Sequence, residues 1–131
     1  MRGRRVIYDT TYFLDLTKTE RPSAFERGVE LFEAGVPRRV PAHVVFELFY
    51  GVEAAGAGER RRVRNALMGY PVVPADDRIA RLAGRLYARH RTDGVDLGDC
   101  YVGATARVYD EPVLTRNTED FAVLDVEVES Y

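Results

Sequence analysis

Short apolar runs rich in β-branched residues alternate with longer helical stretches along this chain, and that alternation leaves few folds open. Residues 5–8, 38–41, 70–74 and 113–115 read as strands, and residues 123–128 as a last, alternating, edge-like one. Between them come stretches of helical period. Thr10-Thr11 opens one holding Tyr12, Phe13, Leu14 and Leu16. Pro22-Ser23 opens a second, which Gly35 closes. Residues 42–55 and 59–68 read as two more, separated by Gly56-Ala57-Gly58. Asp76-Asp77 caps the longest, where Ile79, Leu82, Ala83, Leu86 and Tyr87 form one apolar face. Strands separated by helices imply an α/β fold with a mainly parallel sheet covered on both faces.

The chain has 131 residues, enough for one domain with a real core, and it reads as a single domain over 1–131. Its net charge of −2 gives no global sign of a nucleic-acid partner, so any such contact must be local. The basic residues cluster at Arg2, Arg4 and Arg5 and again at Arg60, Arg61, Arg62 and Arg64. A solvated helix face explains the second cluster at least as well as a partner contact. One cysteine, Cys100, excludes an intrachain disulfide and a thiolate zinc site. No apolar run approaches the roughly 20 residues of a membrane span. No signal-peptide pattern is present, so a cytoplasmic protein with no membrane partner is expected.

The chemistry concentrates in acids at element ends. Asp9 follows the first strand and precedes a helix, where helix cap and metal ligand are equally good readings. Glu47 interrupts the apolar run from Val44 to Tyr50, and a carboxylate there is costly unless paired or metal-bound. Asp96 and Asp99 stand at i and i+3 in a first helical turn, which the helix dipole favours in any case. Asp96 is well placed as the N-cap. The small residues after Asp99 suggest a helix start pressed against the sheet, which favours a functional role for it. Asp120 lies in the polar turn Arg116-Asn117-Thr118-Glu119-Asp120 after the fourth strand, with Glu119 as a competitor and Asn117 suited to an Asx turn. His43 and His90 read as structural or surface residues. Carboxylates at the rim of an α/β sheet, without thiolate or imidazole clusters, select Mg²⁺ or Mn²⁺ and suit phosphodiester hydrolysis.

Four motifs in series make the pattern specific: Val6-Ile7-Tyr8-Asp9-Thr10-Thr11, Glu47-Leu48-Phe49-Tyr50-Gly51, Asp99-Cys100-Tyr101-Val102-Gly103-Ala104-Thr105-Ala106, and Leu114-Thr115-Arg116-Asn117-Thr118-Glu119-Asp120-Phe121. Together they resemble the PIN-domain family, and most of all the VapC toxins of type II toxin–antitoxin pairs. The resemblance implies a Rossmann-like three-layer α/β/α domain and a Mg²⁺- or Mn²⁺-dependent endoribonuclease. It places the family's acids on Asp9, Glu47, Asp99 and Asp120, with Asp96 in support. It places Thr11, Thr115, Arg116 and Asn117 around them as substrate or supporting residues. It also implies an RNA substrate, a homodimer and a cognate VapB-like antitoxin that covers the acidic groove. Gly103 stands where the family usually has Ala.

Two other strand–Asp folds fail on their own requirements. A haloacid-dehalogenase-type phosphatase needs an acid where Thr11 stands. A receiver domain needs a late lysine, and Lys18 is the one lysine of the chain. A PIN nuclease of RNA processing, or a PIN scaffold used only for binding, are the readings that remain beside the toxin.

Overall fold

Strand β1, Val6–Tyr8, lies in the middle of the sheet with all of its residues buried. It pairs in parallel with β2, Arg38–Pro41, on one side and with β4, Val113–Leu114, on the other. The edges are β3, Val72–Val73, beside β2, and β5, Val128–Glu129, beside β4. The order is therefore β3-β2-β1-β4-β5, with every pairing parallel. The chain moves outward from β1 through β2 to β3 and then returns to the far side of β1. That reversal opens a crevice outside the carboxyl ends of β1 and β4, where open parallel sheets place their ligands. This computed structural model describes residues 5–131, so Arg2 and Arg4 of the first basic cluster lie outside the described residues.

Seven α-helices flank the sheet among the described residues: α1 Thr10–Thr17, α2 Pro22–Glu33, α3 Ala42–Val52, α4 Ala57–Leu67, α5 Asp77–His90, α6 Leu97–Tyr109 and α7 Thr118–Val123. Helices α1, α3 and α4 pack on one another, and α6 packs on α5 and against β1, β2 and β4. The three-layer arrangement is the expected one. Helix α6 gets close to the sheet because Gly98, Cys100, Gly103, Ala104 and Ala106 are small and buried. A methyl group on Gly103 would stand 2.9 Å from Leu124 Cδ1, and Leu124 is fully buried. The Gly103 departure from the family pattern therefore has a local cause: the turn after α7 closes directly over α6. No helix among the described residues is long and apolar enough to cross a membrane.

The expected last strand is the main difference. Residues 123–128 are not extended throughout; Val123 ends α7, and Asp125 turns left-handed at φ +57°. Leu124 is pulled into the core between them. Only Val128–Glu129 pairs, as a short parallel edge. Helix α3 also ends at Val52, short of residue 55, and β3 is confined to two residues of the 70–74 run.

Candidate active site

Asp9 leaves β1 at the crevice and is only 4% exposed. It occupies the N-cap position of α1, yet its side chain makes no capping bond. Instead its Oδ2 accepts from Thr11 Oγ1 at 2.9 Å and from Thr115 Oγ1 at 2.8 Å. Burial pushes the Asp9 pKa up, and the two hydroxyls pull it part of the way back. A carboxylate set in a dry wall between two hydroxyls, with no cation paired to it among the described residues, is poised for a positive partner.

Glu47 comes to the same crevice from α3. Its Oε1 accepts from Thr10 Oγ1 at 2.8 Å, which ties it to the residue next to Asp9. Burial is the main cause that raises its pKa, and the charges of Asp9 and Asp96 add to it while His43 works against them. Gly98, in the first turn of α6, is what lets that helix close on this wall. A methyl group there would stand 2.9 Å from Glu47 Oε2 and 3.1 Å from His43 Nε2. His43, expected to be a structural or surface residue, thus lines the site.

Asp96 and Asp99 both stand at the start of α6. Asp96 is the N-cap, and its Oδ1 accepts from the Asp99 N–H at 2.8 Å. Asp99 Oδ2 reaches back towards the Asp96 N–H at 3.4 Å, completing a capping box. The cap reading of Asp96 holds, and Asp99 shares the box while facing the crevice. Its pKa is pushed up to about 7, first by burial and then by the charge of Asp96, with Asp9 and Asp120 adding to the effect. The charges of Asp96, Asp9 and Asp120 therefore converge on Asp99.

The fourth acid is tied in through β4. Thr115 Oγ1 donates to Asp9 and accepts from the Asn117 N–H at 2.9 Å. Asn117 Nδ2 in turn donates to Asp120 Oδ2 at 2.7 Å. A hydrogen-bonded path thus runs from Asp9 through Thr115 and Asn117 to Asp120. Glu119, the competitor, is exposed. Arg116 points elsewhere. Its guanidinium makes a two-toothed pair with Asp15, Nε to Oδ2 at 2.8 Å and Nη2 to Oδ1 at 3.0 Å. Asp15 is 1% exposed and also accepts from Tyr131 Oη and Thr19 Oγ1. Its place opposite Arg116 had no signal in the sequence, because the two residues are 101 positions apart.

These acids offer only hard oxygen donors, which fits Mg²⁺ or Mn²⁺. Among the described residues no three His, Cys, Asp or Glu side chains are grouped so as to hold an ion. The capping box holds one oxygen of Asp99, the two threonines hold one of Asp9, and like charges resist a tighter cluster. A complete protein cage is not what Mg²⁺ needs, since it binds through one or two carboxylates with waters and phosphate making up the rest.

The acids, their chain order and the parallel sheet can be set beside known proteins. The family described as PIN domain matches residues 6–127. The chain belongs to the PIN-domain family. One relative, "Ribonuclease VapC19" of Mycobacterium tuberculosis, is 33% identical over 117 residues, covering 88% of this chain and 90% of the relative. In three dimensions the chain is similar in fold to a chain of VapBC2 from Rickettsia felis, solved bound to a DNA fragment from its promoter. The TM-score is 0.81 at 15% identity, over 95% of this chain and 97% of the other. It is also similar to a toxin–antitoxin complex chain from Klebsiella pneumoniae, with TM-score 0.70 at 25% identity over 89% and 90% of the two chains. In this PIN domain the acids Asp9, Glu47, Asp99 and Asp120 stand on the elements that carry the four sequence motifs.

Proposed function

We propose that this PIN domain is a metal-dependent endoribonuclease, the VapC-type toxin of a toxin–antitoxin pair, which works in the cytoplasm as a homodimer and is silenced by a VapB-like antitoxin. The observation that carries the reading is the shared field of Asp9, Glu47, Asp96, Asp99 and Asp120 at the sheet's reversal point, on a chain related to a named ribonuclease. Asp9, Asp99 and Glu47 are the proposed metal ligands, with Asp96 and Asp120 in support. Bound Mg²⁺ or Mn²⁺ would offset the charge of the scissile phosphate and lower the pKa of a water. The chain's own part is to concentrate negative charge and to hold it still. Thr11 and Thr115 fix Asp9, Thr10 fixes Glu47, the capping box fixes Asp99, and Asn117 fixes Asp120. Fixed groups lose little when the reaction begins, which is the main source of rate at such sites.

The toxin reading is separated from an RNA-processing role by growth. Expression of the chain alone is expected to arrest a bacterial host, and co-expression of a cognate VapB-like antitoxin to restore growth. Unimpeded growth with abundant active enzyme would favour the processing nuclease.

Gly98→Ala tests how finely the wall is fitted. The atoms nearest to the new methyl group are the far ends of Glu47 and His43, so the fold is expected to persist with its Tm little changed. Glu47 must shift by a few tenths of an ångström or more. RNA cleavage is expected to fall by about 10-fold to 100-fold, the scale of small misplacements near a reacting centre. Kinetics beside a thermal melt check both halves of this expectation.

A further inference from the structure

We propose that the rings on the outer face of α3, led by Phe46 and Tyr50, form a stacking platform for an unpaired base of the RNA strand held at the acidic site. The proposal rests on the ribonuclease reading and adds to it where the strand lies.

His43, Phe46, Glu47 and Tyr50 fall at i, i+3, i+4 and i+7, so they form one stripe along α3. The opposite side of the helix, with Val44 and Leu48, is buried. The stripe is not: Phe46 is 60% and Tyr50 78% exposed. The rings are ordered as a ladder. Tyr101 of α6 stacks on His43 with centroids 5.2 Å apart and planes 4° from parallel. His43 meets Phe46 at 5.4 Å, and Phe46 stacks with Tyr50 at 6.0 Å and 27°. The inner rung belongs to the catalytic wall, because His43 Nε2 and Glu47 Oε2 close on the same point above Gly98. The outer rungs carry that wall into solvent as aromatic faces.

Those faces answer a need that the acids create. A phosphate chain approaching a cluster of carboxylates is repelled except where a cation sits between them. The net charge of −2 offers no compensating general attraction. Two of the α4 arginines are engaged within the chain, Arg60 on the Glu53 carbonyl and Arg62 on Glu20. Base stacking supplies affinity without charge, tolerates different bases, and is the usual way proteins hold unpaired RNA. A base one nucleotide from the scissile phosphate falls within reach of a stripe that contains Glu47 itself. An apolar stripe of this kind also suits contact between two copies of the chain, and the test separates the two.

The experiment uses the full chain, free of antitoxin, with an unstructured RNA oligonucleotide in Mg²⁺, and compares it with Phe46→Leu/Tyr50→Leu. Leucine keeps the surface apolar and removes the π-faces, and neither position is buried enough to threaten the fold. Phe46→Tyr and Tyr50→Phe serve as ring-keeping controls. The double variant is expected to lose about tenfold or more in kcat/KM for each ring engaged, mostly through KM. The controls are expected to stay near the parent, and sedimentation to show the parent's oligomeric state. An unchanged KM would overturn the platform. So would a double variant that loses activity only because it separates into monomers, which would assign the stripe to a second copy. A parent that cleaves no RNA under any metal condition would take down the ribonuclease reading and the platform together.

Discussion

Asp9→Asn is expected to lower RNA cleavage by on the order of 10²–10³-fold, the usual effect of losing one fixed charge at a reacting centre, and to leave the metal-free fold at least as stable as before. The two halves have one cause. Asp9 is 4% exposed and pairs with no cation among the described residues, so burial disfavours its charge and pushes its pKa up. Asparagine keeps the shape, and its carbonyl oxygen can still accept from Thr11 and Thr115. The fold loses a charge it was holding at a cost, and the site loses a ligand. A rise in Tm together with a loss of rate is a signature that a merely structural Asp9 would not produce. The same logic sets a pH trend. Asp99 has a folded pKa of about 7, above its ordinary value, so in the folded state it holds its proton more tightly than in the unfolded chain. Its effect on metal-free stability is therefore unfavourable as pH rises from about 4 through about 7.

Arg116→Ala is expected to lower stability by about 2–3 kcal/mol, or roughly 10 °C in Tm, and to act on the fold rather than on RNA binding. Asp15 is buried to 1% exposure, and Arg116 supplies its two-toothed countercharge. Without Arg116 the carboxylate stays buried and is left with the more distant Arg21, whose Nε stands 3.8 Å from Oδ2. The figure lies below the usual range for a broken buried pair for two reasons. Arg116 is itself 47% exposed, and Tyr131 and Thr19 still donate to Asp15. Arg116→Lys would rescue only part of the loss, because an ammonium cannot span both oxygens. The pH trend here has the opposite sense to that of Asp99. Burial works to raise the Asp15 pKa, but the bonds from Arg116, Tyr131 and Thr19 outweigh it and hold the group at about 2. That contribution is complete above about pH 4 and is lost as pH falls towards about 2. Melts at stepped pH on the parent and on Arg116→Ala check this; equal acid sensitivity in both would contradict it.

Local chemistry made much of the frame legible. The apolar triplet of β1, the Asp76 cap of α5 and the small-residue face of α6 each follow from neighbours within one or two turns. Asp9, Glu47, Asp99 and Asp120 were identifiable because each marks the end or the face of an element the sequence already defines. Contacts made by distant residues were not legible. Arg116 sits in a motif with Asn117 and so reads as part of the site, yet its partner Asp15 lies on α1. His43 stands one helical turn before Glu47, so that pairing was within reach of the sequence; the approach of α6, which brings Gly98 against both side chains, was not. The alternation at residues 123–128 suggested a strand, but the core drew in Leu124, and Asp125 turned the chain instead.

The most direct test of the central claim is RNA cleavage by purified, antitoxin-free protein, stripped with EDTA and then given Mg²⁺ or Mn²⁺, with Asp99→Asn run in parallel. Cleavage that returns with the metal and is absent from Asp99→Asn is the predicted result. Cleavage that continues in EDTA, or that Asp99→Asn retains in full, would contradict the account.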